Sequence, residues 1–238
     1  MGWLKNPMES KIKMSKFTIP TTFMGTDTKE AYDRVINAKT PEPISTPTTN
    51  AGKIDGFIYV PSINIYVAKE RKYFNHDWAK AHEALKAEDS RMLRIPEFIS
   101  FINYLTQNPS EENTGIYNDI TQVRDPWRAE HLDAYFEKRN KDLYILTGNK
   151  SKAEKLESCL MEDCQADIFG SANSQGLPTL KKEGFHYWSP RDKFVARFVA
   201  SSGRASLGCD GGPSIALPVL GVRPVKEESQ MARGQGVK

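Results

Sequence analysis

Two amphipathic helical patterns lie close together in this chain, and mostly short β-type runs follow them. The first pattern follows a capping residue, Asn75 or Asp77, and places four side chains on one helix face: Trp78, Ala81, His82 and Leu85. The second opens with Pro96, whose missing N–H costs nothing in a first turn, and its inner face consists of Phe98, Ile99, Ile102 and Leu105. Because the two helices lie near the front of the domain and many short strands follow, without βαβ alternation, the order predicts an α+β fold and argues against a parallel doubly wound sheet.

Short runs of β-branched and aromatic residues predict the strands. They cover 54–60, 63–68, 143–147, 186–189, 194–200, 205–209 and 219–225. The first two are separated only by Pro61 and Ser62, which indicates a β-hairpin. We therefore predict two helices packed on short, mainly antiparallel strands.

Four other segments carry weaker patterns. We interpret 28–38 as a short helix, 107–118 as a polar loop, 131–139 as a short amphipathic segment and 151–161 as one or two helical turns. Residues 40–50 contain three prolines and four threonines, a composition typical of an extended linker. The predicted organisation is an N-terminal extension and linker over 1–52, one domain over 53–225, and a charged tail over 226–238.

Composition limits the partners. The net charge of +3 lacks the concentrated basic face of a nucleic-acid binder, so we expect no nucleic-acid partner. No apolar run reaches the roughly 20 residues that cross a bilayer, and the N-terminus has no apolar signal segment, so we expect no membrane insertion. Three cysteines give no disulfide framework and indicate free thiols. These features predict a cytoplasmic or virion-associated protein.

No pattern for catalysis or metal binding stands out. The four histidines, His76, His82, His131 and His186, have no metal-ligand spacing, and no Walker or nucleophile-elbow motif is present. A nucleophilic pair of Cys209 and His186 has nothing in the sequence that would lower the thiol pKa. The acidic residues at 162, 163 and 167 lack calcium-loop spacing. We therefore expect a protein that is not an enzyme and needs no cofactor.

Several segments resemble one family. Residues 77–85 and 92–98 resemble the two-helix opening of C-type lectin domains. Residues 220–225 resemble the end strand of formylglycine-generating-enzyme-like members of that fold, and 188–192 with 195–198 resemble the strands before it. Together they resemble the variable protein of a diversity-generating retroelement, of the kind found in an archaeal virus or a nanoarchaeon.

The resemblance implies a ligand-binding function. In that family an error-prone copy of a template RNA replaces the 3′ end of the gene, so a C-terminal region, here about 186–225, varies and binds a protein or cell-surface molecule. Asparagine codons randomised at both adenines cannot encode Lys, Glu, Gln, Met or Trp, which together make up roughly a quarter of average usage. None of the five occurs between Phe194 and Val225. A turn-rich β region that happens to lack long polar side chains is the alternative explanation.

The same resemblance separates framework from exchangeable positions. The framework is Ala196, Arg197, Phe198, Arg204, Ala205, Leu207, Cys209, Pro213 and Leu220 to Arg223. The candidate ligand-binding positions are Ser189, Val199, Ser201, Ser202, Ser206, Gly208, Asp210, Gly211, Gly212, Ser214, Ile215, Ala216, Pro218 and Val219. Strand alternation predicts a small apolar core face, formed by Ala205, Leu207 and Cys209, opposite an exchangeable face.

Two other functions of this fold stay open at this point. One is a metal-dependent oxidase like the formylglycine-generating enzymes, although their paired catalytic cysteines do not appear. The other is a calcium-dependent lectin or virion structural protein, although the E-P-N or Q-P-D and W-N-D signatures of true lectins are missing.

Overall fold

The computed structural model describes residues 54–227 and, before them, only 22–23 and 26–27. The chain divides into two compact units, Met1–Asn50 and Ala51–Lys238. In the first unit, strands β1 (Thr22–Phe23) and β2 (Thr26–Asp27) pair antiparallel. The helix predicted at 28–38 lies outside the described residues.

The second unit is a mixed α+β structure, which confirms the predicted fold class at that level. Its described part has three helices: α1 (Trp78–Ala87), α2 (Ile95–Gln107) and α3 (Glu111–Thr121). A four-stranded sheet has the order β3-β4-β14-β5 and consists of β3 (Phe57–Val60), β4 (Ile65–Ala68), β5 (Arg91–Met92) and β14 (Pro224–Glu227). Strands β3 and β4 pair antiparallel, so the predicted hairpin is confirmed.

An eight-stranded sheet forms the rest of the unit. Its strands are β6 (Arg128–Arg139), β7 (Asp142–Thr147), β8 (Lys152–Lys155), β9 (Cys164–Ala166), β10 (Lys181–Trp188), β11 (Val195–Ala200), β12 (Ala205–Gly211) and β13 (Leu220–Val222). The order is β8-β7-β6-β11-β12-β10-β9, and β13 pairs with β6. Only β10 with β12 and β13 with β6 are parallel within the described sheets. The sheets are therefore mainly antiparallel, as predicted.

Both predicted helices form for the expected local reasons. The Asp77 carboxylate caps α1 by accepting a hydrogen bond from the Lys80 backbone N–H at 2.8 Å. Pro96 lies in the first turn of α2. The buried face of α1 is the predicted one, Trp78, Ala81, His82 and Leu85, and α2 buries its predicted residues together with Ile95 and Phe101.

The polar loop predicted at 107–118 is wrong, because most of it is helix α3. The Ser110 hydroxyl accepts a hydrogen bond from the Asn113 backbone N–H at 3.1 Å, which caps the helix. The negative charges of Glu111 and Glu112 in the first turn interact favourably with the positive end of the helix dipole. Ile120 is buried in the core, so tertiary packing stabilises a helix whose composition is polar.

Three further interpretations are corrected. Residues 152–155 form strand β8 rather than helical turns, because they pair antiparallel with β7 across a turn that contains Gly148 at positive φ. The segment at 131–139 belongs to the long strand β6, whose first nine residues are buried. The single run predicted at 219–225 is split at Arg223 between the two sheets, and β14 extends to Glu227, two residues into the segment interpreted as a tail.

The eight-stranded sheet carries an apolar core on each face. One core contains Phe98 and Ile102 of α2 with Tyr187, Phe198 and Leu207 of the sheet. The second is smaller and contains Trp78, Ala81 and Leu85 of α1 with Tyr135, Leu146, Val195 and Val222. Helix α1 therefore covers β6, β7 and the start of β11 on this face, whereas no helix within residues 54–227 packs on its remaining β10, β11 and β12 part.

Candidate functional site

The part of that sheet face formed by β10, β11 and β12 is the candidate site, and we call it the outer face. It consists of the side chains that alternate with core residues on three neighbouring strands: His186, Trp188, Arg197, Val199, Ser206, Gly208 and Asp210. The predicted core face of β12, formed by Ala205, Leu207 and Cys209, is confirmed, because all three residues are buried in the larger core.

Strand pairing arranges the outer face in rows. Gly208 lies opposite Trp188 on one side and Arg197 on the other. Ser206 lies between His186 and Val199 in the same way. Since Gly208 has no side chain and Ser206 a short one, the two form a low floor between taller neighbours.

An aromatic and cationic group borders this floor. The rings of His186 and Trp188 lie 4.7 Å apart, and the Arg204 guanidinium carbon lies 5.6 Å from the centre of the Trp188 ring. Neither Arg204 nor Arg197 forms an ion pair with a carboxylate in residues 54–227. The Nε of Arg197 is buried and has no hydrogen-bond partner there. This face therefore combines two aromatic rings, tilted by 54° to each other, with two positive charges that no carboxylate in residues 54–227 neutralises.

The loop over 212–219 lies beside the outer face and is fixed by backbone hydrogen bonds. The Trp78 N–H at the start of α1 donates to the Pro213 carbonyl at 3.0 Å. The Asn75 N–H donates to the Leu217 carbonyl at 3.1 Å. The loop is thus attached to the segment that leads into α1, and its intervening residues face solvent to different degrees.

The fourteen candidate positions differ in exposure. Four are exposed: Ser202, Ser214, Ala216 and Pro218. Six are half-buried: Val199, Ser201, Asp210, Gly212, Ile215 and Val219. Four are buried: Ser189, Ser206, Gly208 and Gly211. Ten positions are therefore placed where a ligand could contact their side chains, and four are not.

Ser189 is held in place by hydrogen bonds to a carboxylate. Its backbone N–H and its hydroxyl both donate to the Asp163 carboxylate at 2.9 Å, and Arg191 donates to the other oxygen at 2.6 Å. The Ser189 hydrogen bonds, and after them the Arg191 charge, lower the pKa of Asp163, so this carboxylate is ionised at neutral pH. Ser189 therefore closes the turn after β10 instead of facing a ligand.

Gly211 is buried by a close approach of neighbouring atoms. A Cβ at this position would lie 3.0 Å from the Val195 carbonyl oxygen and 3.1 Å from Cδ and Nε of Arg197. A Cβ at Gly212 would meet only the Ile215 side chain, at 3.2 Å, which can move. The two adjacent glycines thus differ in the space available for a side chain, although both are among the candidate ligand-binding positions.

The groups considered for chemistry are not assembled into a reactive centre in residues 54–227. Burial raises the pKa of Cys209 well above its ordinary value, which disfavours the thiolate that a nucleophile needs. Burial also raises the pKa of Cys159 and Cys164. No group of three or more His, Cys, Asp or Glu side chains in the described residues could hold a metal ion.

Sequence reasoning missed the stack of Arg204 on Trp188. The two residues are 16 positions apart and meet because β10 and β12 pair in parallel, with His186 opposite Ser206. Local alternation contains no signal for that pairing. His186, which sequence position alone left between a packing and a binding role, lies at the outer face, half-buried against Trp188.

Comparisons with protein-family models, with curated proteins and with solved structures found no match for this chain. In the described residues, no helix is both long enough and apolar enough to cross a membrane.

The buried His131, which lies opposite Arg197 of the outer face, should make the stability of the protein depend on pH. Burial, and after it the positive charge of Arg197, lowers the pKa of His131 from 6.5 to about 4. The unfolded chain therefore takes up a proton before the folded protein does as the pH falls. The stabilisation is complete above pH 6.5 and is lost between pH 6.5 and 4, and it amounts to about 3 kcal/mol.

We expect the His131→Gln variant to lack this contribution to the pH dependence. Urea denaturation of both proteins at pH 7, 5.5 and 4.5 measures it, because carboxylates common to both cancel in the difference. Parallel stability curves for the wild type and the variant would contradict the assignment.

Proposed function

We propose that this protein is a non-enzymatic ligand-binding protein with a C-type-lectin-like fold, diversified by a retroelement. The supporting observation is the grouping of the ten accessible candidate positions on the outer face, the turn at 201–202 and the adjoining loop. Phe198, Ala200 and Cys209, which alternate with Val199 and Asp210 along β11 and β12, belong to the core, and the other eight accessible positions lie outside the strands. Exchange of the accessible side chains therefore leaves the packing of the sheet unchanged. The amino-acid usage between Phe194 and Val225 supports the same proposal.

The proposed surface resembles an interface in composition and form. The aromatic side chain of Trp188, at the border of this surface, can desolvate a partner group, and aromatic and arginine residues supply most of the energy in protein interfaces. Short side chains at the exchangeable positions around it leave room for larger replacements. Such a surface acquires specificity through a few anchors rather than through its whole area.

Two variant libraries test the proposal. The first randomises the accessible positions Val199, Ser201, Ser202, Asp210, Gly212, Ser214, Ile215, Ala216, Pro218 and Val219. The matched control randomises the buried positions Ser189, Ser206, Gly208 and Gly211. We expect each accessible change to alter stability by less than about 0.5 kcal/mol, and overpacking changes such as Gly211→Val to cost about 1–3 kcal/mol.

Display on yeast and sorting against a fixed panel of unrelated purified proteins give the two readouts. The first library should yield folded binders of different panel members, with melting temperatures close to that of the parent. The control library should yield mostly unfolded clones. Equal unfolding in both libraries, or folded clones without new binding, would contradict the proposal.

A further inference from the structure

A cleft of about 470 Å³ borders the outer face where the middle of β10 meets the start of β12. Its walls include Val123 after α3, Phe185 and His186 on β10, and Gly203 and Arg204 before β12. None of the fourteen candidate positions lines it, so retroelement exchange would leave it constant. The cleft therefore needs an explanation separate from the variable surface.

The lining of the cleft contains both apolar side chains and a positively charged one. Val123 is 48 % exposed and is among the few exposed large hydrophobic residues of the described chain. No carboxylate belongs to the lining, and Arg204 forms no ion pair in residues 54–227. The nearby Asp163 carboxylate, which acts on His186, is already paired with Arg191 at 2.6 Å. A ligand with a negative charge complements this cleft.

Contacts with neighbouring residues position both the backbone and the side chain of Arg204. Its backbone carbonyl accepts hydrogen bonds from the N–H and the hydroxyl of Ser201, which fixes the turn between β11 and β12. Its guanidinium lies over Trp188, an arrangement that leaves the N–H groups at the edge of the plane free to donate. A positioned guanidinium favours a carboxylate, which it can hold with two parallel hydrogen bonds.

The backbone of β10 beside the cleft favours an extended peptide. Pairing with β9 is interrupted between Lys181 and His186, and the parallel pairing with β12 begins only at His186. In that gap the Gly184 N–H donates to the side-chain oxygen of Gln165 at 3.2 Å. A strand segment outside its ladders can add a peptide strand through main-chain hydrogen bonds.

From these observations we infer that the cleft binds an extended acidic peptide segment of another protein. An Asp or Glu side chain of the peptide pairs with Arg204, an adjacent apolar side chain packs on Val123, and the peptide backbone runs along β10. Two segments of the chain itself do not fit this description, because 1–16 carries four lysines and one glutamate and 228–238 carries one lysine, one arginine and one glutamate.

Three pools of labelled eight-residue peptides test the inference with the full-length chain. The central pair is fixed as Glu-Leu, Gln-Leu or Lys-Leu, and the other positions are random. Fluorescence anisotropy should show at least about tenfold tighter binding of the Glu-Leu pool than of the Gln-Leu pool, since the charge-assisted pair is lost in the isostere.

Arg204→Gln should bring the two pools to the same affinity, and Arg139→Gln should keep the tenfold preference. Arg139 is a suitable control because it is an exposed arginine at the end of β6, paired with Glu137 at 2.6 Å. Burial and the Arg204 charge lower the pKa of His186, so the bound Glu-Leu pool should raise that pKa in an NMR titration.

Equal binding of the Glu-Leu and Gln-Leu pools, or a preference that persists in Arg204→Gln, would overturn the inference. Displacement of the Glu-Leu pool by millimolar acetate or by a sulfated oligosaccharide as effectively as by unlabelled peptide would also overturn it, since the cleft would then be a general anion site. The result is independent of the variable surface, because clones of the accessible-position library that keep Ser201 should retain the peptide preference.

Discussion

Replacing Glu130 by glutamine should lower the free energy of unfolding by about 3–5 kcal/mol, because it leaves a buried arginine without its counter-charge. The Nε of Arg223 donates to the Glu130 carboxylate at 3.0 Å, and the two side chains are 1 % and 3 % exposed. Arg223 also donates to the carbonyls of Ala68 and Lys69, so it joins the four-stranded sheet to the eight-stranded one. The glutamine variant retains the size of the side chain, removes the charge and replaces one acceptor oxygen by an NH2 group.

Urea denaturation of the wild type and Glu130→Gln measures the effect, and two further variants give its interpretation. The double variant Glu130→Leu with Arg223→Met removes both charges and should be less destabilised than Glu130→Gln, since buried pairs often exchange for apolar residues at little cost. Lys155→Gln breaks an exposed pair with Asp142 and should cost less than about 1 kcal/mol. A loss below about 1 kcal/mol for Glu130→Gln would show that water reaches the pair.

The sequence identified Arg223 as framework but not its partner. Glu130 is 93 positions away and reaches Arg223 because β13 pairs in parallel with β6, next to the point where the chain passes to the other sheet. The run 219–225 has uniform β character, so nothing local indicates that it supplies strands to two sheets. Long-range pairing of this kind depends on the whole fold.

The two helices that were predicted correctly are those whose formation depends on local interactions. Helices α1 and α2 have a capping residue or an N-terminal proline and an apolar face at helical spacing, and both were predicted with their inner faces. Helix α3 has a polar composition, and its stability depends on burial of Ile120 against the core. Strand β8 has no apolar pattern because all four of its residues are exposed at the sheet edge. Tertiary contacts therefore determine whether α3 and β8 form.

The candidate site likewise has features that local alternation predicts and features that depend on other strands. Alternation on β12 correctly separated Leu207 and Cys209 from Ser206 and Gly208. It predicted the direction of those side chains but not their burial, because neighbouring tall residues such as Trp188 and Arg197 come from other strands. The register between β11 and β12 also shifts between Val195 and Arg197, which brings Gly211 against Val195. No one-strand pattern contains that bulge.

Trp78→Ala should destabilise the protein by about 3–5 kcal/mol, the usual cost of removing a fully buried large aromatic side chain. Trp78 is 1 % exposed, and it packs with Tyr135 and Leu146 in the core between α1 and the sheet. Its indole N–H donates to the Leu132 carbonyl at 2.9 Å on β6. This side chain is the main apolar contact of α1, so its loss weakens the attachment of the helix.

Trp78→Phe separates the two contributions. The phenyl ring retains most of the packing but cannot donate to Leu132, so the buried carbonyl loses a partner at a cost of about 1–3 kcal/mol. Thermal and urea denaturation of both variants should therefore give the order wild type, Phe, Ala. Equal stability of the Phe and Ala variants would contradict the packing argument.

The Trp78 variants also connect the core to the proposed binding surface. The Trp78 backbone N–H holds the 212–219 loop through the Pro213 carbonyl, so a loosened α1 releases the loop while the strands of the outer face stay paired. Hydrogen exchange should then increase in the loop more than in β11 and β12. Because accessible candidate positions lie on both, a binder from the first library that contacts the loop should lose affinity in Trp78→Ala, whereas one that contacts only the strands should keep it. Equal loss for both classes would show that the outer face and the loop depend on α1 to the same extent.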